Sequence, residues 1–281
     1  MPGTASAKKA SESEAKHAAA DGGGPHLQVR GVQKSFGDTQ VLTDVNMSIG
    51  RGHIAVIIGG SGAGKTTLLR ILIGLERPTA GSVEISGQDI AQLSDRELNS
   101  MRRKFGMVFQ YSALLDSMNV LDNVAFPMRE HTDLSEKEIK AQVTEKLNSL
   151  GLENVEKRYP SQLSGGMRKR VALARALMLE PEVIMYDEPT SGLDPVTSRM
   201  VDDMIVETRD KFGVTSVIIS HDMVGALQIA DEIYLLSKGS IVASGSPQEL
   251  VRGDNELLHQ FLQSSGVTAM PGAAEKLAKD G

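Results

Sequence analysis

Residues 54–67 have the sequence IAVIIGGSGAGKTT, from which the type of fold can be inferred. Residues 55–58 form an apolar run that is too short for a helix core and is typical of a buried parallel strand. A loop with little side-chain bulk follows at residues 59–64, and residues 65–67 lead into an apolar helix. The stretch therefore predicts a strand, a loop and a helix in direct succession.

The loop fits the phosphate-binding pattern G-x-x-x-x-G-K-[ST]. Glycines let several backbone N–H groups converge on phosphate oxygens, and the following helix offers the positive end of its dipole. The Lys65 ammonium would meet the terminal phosphates, and the Thr66 hydroxyl would bind magnesium. The alternative is a glycine-rich turn with an incidental lysine, which the flanking strand and helix disfavour. The predicted nucleotide-binding residues are Gly59, Gly60, Ser61, Gly62, Ala63, Gly64, Lys65, Thr66 and Thr67.

The composition sets broad limits on function. The chain has 281 residues, of which 40% are hydrophobic, enough for one large or two modest domains. Its 36 acidic and 30 basic residues are interspersed, which argues against nucleic acid as the main partner. The absence of cysteine leaves no disulfide or thiolate metal ligand. No apolar run approaches the roughly 20 residues of a membrane span. We expect a soluble chain whose membrane role, if it has one, comes from a partner.

Three segments are predicted along the chain. Residues 1–24 are expected to be a disordered tail, and residues 254–281 a C-terminal helix and flexible tail. The domain between them, residues 25–253, contains a mostly helical region at about 90–165. Strands are predicted at residues 27–32, 41–49, 82–85, 105–109, 183–186, 214–219, 232–236 and 240–243. Helices are predicted from capping residues at 94, 135 and 246, and after residue 166.

Polar side chains stand where predicted strands end. Gln110 follows one strand, Asp187 and Glu188 follow another, and His221 comes shortly after a third. Such edges of α/β sheets bind ligands, although each residue taken alone is more often solvated or structural. Phe36, next to a predicted turn at Gly37, could stack on an adenine ring or serve in packing, and spacing alone does not decide.

Taken in order, the motifs resemble those of the ABC ATPases. They are GGSGAGKT at 59–66, Gln110 of the Q-loop, the signature LSGGM at 163–167, the Walker B run VIMYDE at 183–188, SGLD at 191–194 and the switch residue His221. The resemblance covers residues 27–250. It implies an α/β fold, with a RecA-like P-loop NTPase core, an antiparallel β edge and an inserted α-helical subdomain.

Within that superfamily the sequence is most similar to ATPases of the Mla/Mce lipid-transport systems. The likeness rests on LSGGMRKRVALARAL at 163–177 and FQYSALLDSMNVLDNVAFPMREHT at 109–132. Met167 departs from the general ABC pattern, in which most members have glutamine. Since the lipid-transport group shares this methionine, we interpret it as a subfamily character that removes one side-chain polar contact.

The resemblance implies an ATPase that binds ATP and Mg²⁺ and works as a homodimer. Ser164, Gly165 and Gly166 of one protomer would bind the γ-phosphate held by the other. Thr66, Gln110 and Asp187 would hold magnesium, Glu188 would polarise the attacking water, and His221 would contact the γ-phosphate. Lys65 and Gln110 would be catalytic residues together with Glu188 and His221. Phe36 would stack on adenine, and Asp194 would link the two sites.

The resemblance also implies partners. A transmembrane permease would place a cytoplasmic helix in a groove around residues 109–132, with Leu114, Leu115 and Phe126 as its apolar part. A STAS-domain protein and an Mce-domain lipid-binding protein would complete the assembly at the cytoplasmic face of the bacterial inner membrane. The function implied is phospholipid movement between the inner and outer membranes, without nucleic acid.

Two alternatives remain open. The first is an ABC importer ATPase for another substrate, such as an amino acid. The second is a soluble ABC ATPase, for which iron–sulfur cluster assembly is not excluded by length, although its motifs match less well. DNA-repair members need a long coiled-coil insertion, and about a hundred residues between Lys65 and Ser164 leave no room for one. Translation members carry two cassettes, and this chain has one.

Overall fold

The computed structural model describes residues 24–252. Its strands are β1 (Leu27–Phe36), β2 (Thr39–Ile49), β3 (Ile54–Ile58), β4 (Ala80–Ile85), β5 (Gln88–Asp89), β6 (Phe105–Phe109), β7 (Val183–Asp187), β8 (Thr215–Ser220), β9 (Glu232–Ser237) and β10 (Ser240–Gly245). Its α-helices are α1 (Lys65–Leu72), α2 (Asp95–Arg102), α3 (Val120–His131), α4 (Glu136–Ser149), α5 (Gly165–Leu177), α6 (Pro195–Phe212), α7 (Met223–Ile229) and α8 (Pro247–Arg252). Short 3₁₀ turns lie at Ile90–Gln92 and Pro160–Gln162.

The strands form one sheet in the order β5-β4-β1-β2-β10-β9-β3-β8-β7-β6. In its core half, β3 pairs in parallel with β8 and β9, and β7 pairs in parallel with β8 and β6. Alternate residues of β3 enter different apolar clusters, with Ala55 and Ile57 on one face and Ile54, Val56 and Ile58 on the other. A strand buried on both faces explains the continuous apolar run in its sequence.

The other half of the sheet is antiparallel. β1 pairs with β2 on one side and with β4 on the other, and β5 pairs with β4. This is the antiparallel edge that the family resemblance implies, so the predicted fold class is confirmed. The strands before the phosphate loop are longer than predicted, because β1 continues to Phe36 and β2 begins at Thr39. Phe36 is the last residue of β1 and directly precedes the turn at Gly37.

A separate helical layer covers the β6 end of the sheet. α3 and α4 pack on α5 around a third apolar cluster that includes Val124, Val143 and Val171. The predicted capping boxes open α2 at Ser94 and α4 at Ser135. The subdomain limits of about 90 and 165 stay a prediction.

Some predictions fall outside residues 24–252, namely the N-terminal tail before Gly24 and the segment 254–281. Three helices of the structure, α3, α6 and α7, are absent from the predictions based on sequence. In the described range, no helix combines the length and hydropathy that crossing a bilayer requires.

Candidate active site

The phosphate loop connects β3 to α1 with tight backbone packing. A Cβ atom at Gly59 would lie 2.4 Å from the carbonyl oxygen of Leu236, so a side chain cannot be placed there without moving the backbone. Gly64 caps α1 with a φ of 106°, a left-handed conformation that glycine adopts without strain. The Lys65 ammonium donates to the carbonyl oxygens of Gly59 at 2.6 Å and Gly60 at 3.2 Å. Lys65 is thereby held over the loop whose N–H groups would receive phosphates.

Parallel pairing brings the predicted polar residues to one edge of the sheet. Ile58 pairs with Ser220, Asp187 pairs with Ile219, and Phe109 pairs with Asp187. The next residues along each chain segment therefore emerge at the same level. They are Gly59, Gln110 and Glu188, with His221 directly after Ser220. The strand register therefore brings these residues to the carboxyl ends of neighbouring parallel strands.

Glu188 lies at the centre of this cluster. Its Oε2 accepts a hydrogen bond from Nδ1 of His221 at 2.6 Å, and its Oε1 lies 3.9 Å from the Lys65 ammonium. The backbone φ of Glu188 is +49°, and its N–H donates to the carbonyl oxygen of Ile219 at 2.9 Å. A non-glycine residue rarely adopts this conformation, which is characteristic of functional sites. The carboxylate is thus held between a lysine and a histidine.

Asp187 precedes Glu188 and has a different environment. Burial raises the pKa of the Asp187 carboxyl, the adjacent Glu188 charge raises it further, and the Lys65 ammonium opposes the shift. The Lys65 ammonium therefore interacts with both neighbouring carboxyl groups.

The signature residues lie at the start of α5, in the helical layer. Ser164 is the N-cap, and its Oγ accepts from the N–H of Met167 at 3.3 Å. Gly165 and Gly166 form the exposed first turn of the helix rather than preceding it, as the sequence analysis supposed. The Met167 side chain packs against the third apolar cluster. Within residues 24–252, the hydrogen bonds of Ser164 are made inside its own helical turn. None of them reaches Lys65 or Glu188.

Asp194 also serves as a helix cap. Its carboxylate accepts from the N–H groups of Val196 and Thr197, both at 3.0 Å, and from the Thr197 hydroxyl at 2.6 Å. The Thr197 hydrogen bonds lower the pKa of this carboxyl. With Pro195 in the first turn and Gly213 at the end, Asp194 defines α6. These flanking residues are the signal that could have predicted the helix.

Phe36 presents an aromatic face at the end of β1. The residue is 48% exposed, and the Lys34 ammonium lies 4.8 Å from the ring centroid. Lys34 is itself held by Glu76 at 2.6 Å and the carbonyl oxygen of Arg77 at 2.9 Å. Half of the Phe36 surface therefore remains open to a stacking partner.

Lys169, which the sequence analysis placed only among the cations around α5, contacts the active-site loops. Its ammonium donates to the carbonyl oxygen of Pro189 at 2.5 Å and to that of Gln110 at 3.4 Å. In the sequence, nothing distinguishes this lysine from the neighbouring Arg168 and Arg170. Only the packing of α5 against β6 shows that it faces inward.

The fold and the phosphate-loop site define a P-loop ATPase. A family model described as ABC transporter matches residues 42–191. The probable ribonucleotide transport ATP-binding protein mkl of Mycobacterium leprae is 41% identical over 253 residues, which cover 90% of this chain and 73% of that protein. The intermembrane phospholipid transport system ATP-binding protein MlaF of Escherichia coli K12 is 42% identical over 236 residues, covering 84% of this chain and 88% of that one.

The methionine import ATP-binding protein MetN 1 of Rhodococcus jostii is 42% identical over 258 residues, covering 90% of this chain and 74% of that protein. Among solved structures, the dimeric post-hydrolysis state of the ATP-binding cassette MJ0796 bound to ADP and Pi aligns with a TM-score of 0.69 and 33% identity, over 79% of this chain and 98% of that chain. This chain belongs to the ABC transporter family. It is an ATP-hydrolysing ATP-binding subunit, and such domains form dimers that pair with transmembrane permeases.

Proposed function

We propose that this chain is the ATPase subunit of a transporter that moves phospholipid between the inner and outer membranes. The observation that carries the proposal is the 42% identity to the phospholipid-transport protein MlaF, over 84% of this chain. The signature LSGGM and the stretch 109–132 support the same subfamily. The subunit would lie at the cytoplasmic face of the bacterial inner membrane, held there by its permease. The catalytic domain would span residues 25–253, with its helical part at about 90–165.

ATP would bind along the phosphate loop. Backbone N–H groups of residues 59–64 and the N-terminus of α1 would cradle the phosphates, with Thr67 in the first helical turn. The Lys65 ammonium now bonds to carbonyl oxygens of its own loop and would move to the terminal phosphates. Phe36 would stack on the adenine ring.

Magnesium fits the oxygen-rich donor set of Thr66, Gln110 and Asp187. A hydroxyl, an amide oxygen and a carboxylate are hard ligands of the kind that Mg²⁺ prefers. Burial and the adjacent Glu188 charge raise the pKa of Asp187, and a bound cation would offset the repulsion between the two carboxylates. Bound magnesium would neutralise charge on the nucleotide phosphates. Asp187 would contribute through a water molecule.

Hydrolysis would use groups from both protomers. Glu188 would polarise the attacking water, while His221 would orient the Glu188 carboxylate and contact the γ-phosphate. Ser164 and the N–H groups of Gly165 and Gly166 would bind that phosphate from the partner protomer, since a helix N-terminus favours anions. Asp194 would link the two sites across the interface. Such chemistry depends on positioning and charge stabilisation.

Phe36→Ala is expected to raise the KM for ATP about tenfold, with little change in kcat. Stacking on a base contributes roughly 1–3 kcal/mol and holds ground and transition states alike. Steady-state ATPase kinetics measure both constants, and Phe36→Tyr is the matched control because it keeps the ring. An unchanged KM together with a lowered melting temperature would instead assign Phe36 to packing.

An apolar surface beside the Q-loop supports permease docking. Tyr111 is 85% exposed, and Leu115 and Phe126 are each 43% exposed. Leu114, the remaining predicted groove residue, is partly buried and packs against the third cluster. Exposed large apolar side chains are typical of interaction sites when they form a patch. The helix of a permease would lie against Leu115 and Phe126.

The permease hypothesis predicts that Phe126→Ala will weaken capture of a membrane partner at least about tenfold, because removal of one buried aromatic anchor costs 2 kcal/mol or more at an interface. The native subunit should co-purify with a permease from detergent-solubilised membranes, and its ATPase rate should change on binding. Met200→Ala is the control, since Met200 is exposed on α6 outside the groove. Recovery of soluble scaffold proteins alone, with no permease, would refute the transport proposal and favour iron–sulfur assembly.

The similarity to MetN 1 favours a second candidate, an amino-acid importer. Both candidates use the same ATP chemistry and differ in the cargo. The purified transporter, reconstituted in lipid vesicles, distinguishes them. ATP-dependent transfer of labelled phospholipid would support the lipid proposal. Uptake of labelled methionine without lipid transfer would refute it and support the amino-acid importer.

A further inference from the structure

Lys169 connects the loops after two neighbouring strands. Pro189, whose carbonyl oxygen accepts its hydrogen bond at 2.5 Å, directly follows Glu188 in the loop after β7. Gln110, whose carbonyl oxygen lies 3.4 Å from the same ammonium, directly follows β6. Lys169 lies in the second turn of α5, which begins at the signature residues. A single side chain therefore contacts the backbone of both loops from the signature helix.

The surroundings of the Lys169 ammonium indicate that its role is not to form an ion pair. Burial alone lowers the pKa of its ammonium, and within residues 24–252 no carboxylate forms an ion pair with it. Desolvation of a cation is unfavourable unless hydrogen bonds compensate for it. Here the compensation comes from backbone carbonyl oxygens. These hydrogen bonds fix the position of the main chain, and they do not neutralise an acidic side chain.

Arg175, a second cation on α5, acts on the same loop. Its guanidinium donates to the carbonyl oxygen of Ala113 at 2.8 Å and to that of Ser112 at 3.0 Å. Both acceptor residues have left-handed backbones, with φ of 44° and 64°. The signature helix thus holds the Q-loop at two places, and Lys169 extends this hold to the loop of Glu188.

We propose that Lys169 is a positioning residue that transmits movement of the signature helix to the loops of Gln110 and Glu188. The proposal rests on the function proposed above, in which the second protomer contacts the N-terminus of α5. When that contact shifts the helix, the Lys169 ammonium carries the Pro189 and Gln110 carbonyl groups with it. The Glu188 carboxylate then reaches its working position only as the dimer closes.

The test compares Lys169→Met, which keeps an unbranched side chain but removes the charge, with Lys169→Arg, which keeps a donor. For Lys169→Met we expect kcat to fall about tenfold or more, with ATP affinity within about twofold of native, because positioning acts on the transition state. Lys169→Arg should restore most of the lost rate. Lys140→Met is the matched control, since this lysine is exposed on α4. Circular-dichroism melting reports the folded fraction, and all rates are expressed per folded molecule.

A second measurement separates positioning from dimer formation. In the Glu188→Gln background, Lys169→Met should still form the ATP-dependent dimer seen by size-exclusion chromatography. A native kcat per folded molecule in Lys169→Met, or a loss of rate explained fully by lost ATP affinity, would overturn the proposal. If Glu188→Gln alone kept the native rate, Glu188 would not be the base, and the hydrolysis mechanism proposed above would fail. An inactive Glu188→Gln with a fully active Lys169→Met would refute only the role of Lys169.

Discussion

Glu188→Gln is expected to lower ATP turnover about 10²–10⁴-fold, the usual contribution of a general base, while ATP still binds. The glutamine side chain has nearly the same shape but cannot accept the proton of the attacking water. It can still occupy the position 2.6 Å from His221, so the local structure should persist. Phosphate release measures turnover, and equilibrium dialysis with labelled ATP measures binding.

The same variant should accumulate as a closed dimer in ATP. ATP can drive closure only by binding the closed state more tightly, and blocked hydrolysis leaves that state populated. Glu207→Gln is the control, because Glu207 is an exposed acid on α6 away from the strand ends. Hydrolysis by Glu188→Gln at near the native rate would exclude Glu188 as the base.

The position of the site could be predicted because its residues lie at the ends of strands. Residues 54–67 alone predict the strand, loop and helix, and the strands predicted at residues 105–109 and 183–186 end next to Gln110 and Glu188. Parallel strands bring their carboxyl ends to one edge whatever the details of register. The convergence of Gln110, Glu188 and His221 follows from this rule. The same reasoning could not predict that Glu188 and His221 share a hydrogen bond, which depends on side-chain orientation and the left-handed backbone of Glu188.

Other features escaped prediction for physical reasons. α3 contains Pro127, whose missing N–H and fixed φ normally end a helix, yet packing in the third cluster maintains the helix through it. The contacts of Lys169 join residues far apart in sequence, so no local pattern could indicate them. Ser164 lies in the helical layer and bonds within its own turn. Its proposed action on ATP therefore requires a second protomer, which the sequence indicates only through the family resemblance.

His221→Ala is expected to reduce turnover about 100-fold, the size of effect that follows loss of one preorganised hydrogen bond at a reacting centre. The His221 side chain is 59% exposed, so little packing is lost and the melting temperature should change little. Steady-state ATPase assays at saturating ATP measure the loss. His131→Ala, at the exposed end of α3, is the control.

The double variant Glu188→Gln with His221→Ala tests whether the two residues act as one unit. Because Nδ1 of His221 bonds directly to Oε2 of Glu188, removal of either should disable the same step. Effects of residues that act together are strongly non-additive, so the double variant should be about as slow as Glu188→Gln alone. If the loss of turnover in the double variant instead equals the product of the two single losses, His221 acts on the γ-phosphate independently of Glu188. The hydrogen bond between them would then belong to the resting state alone.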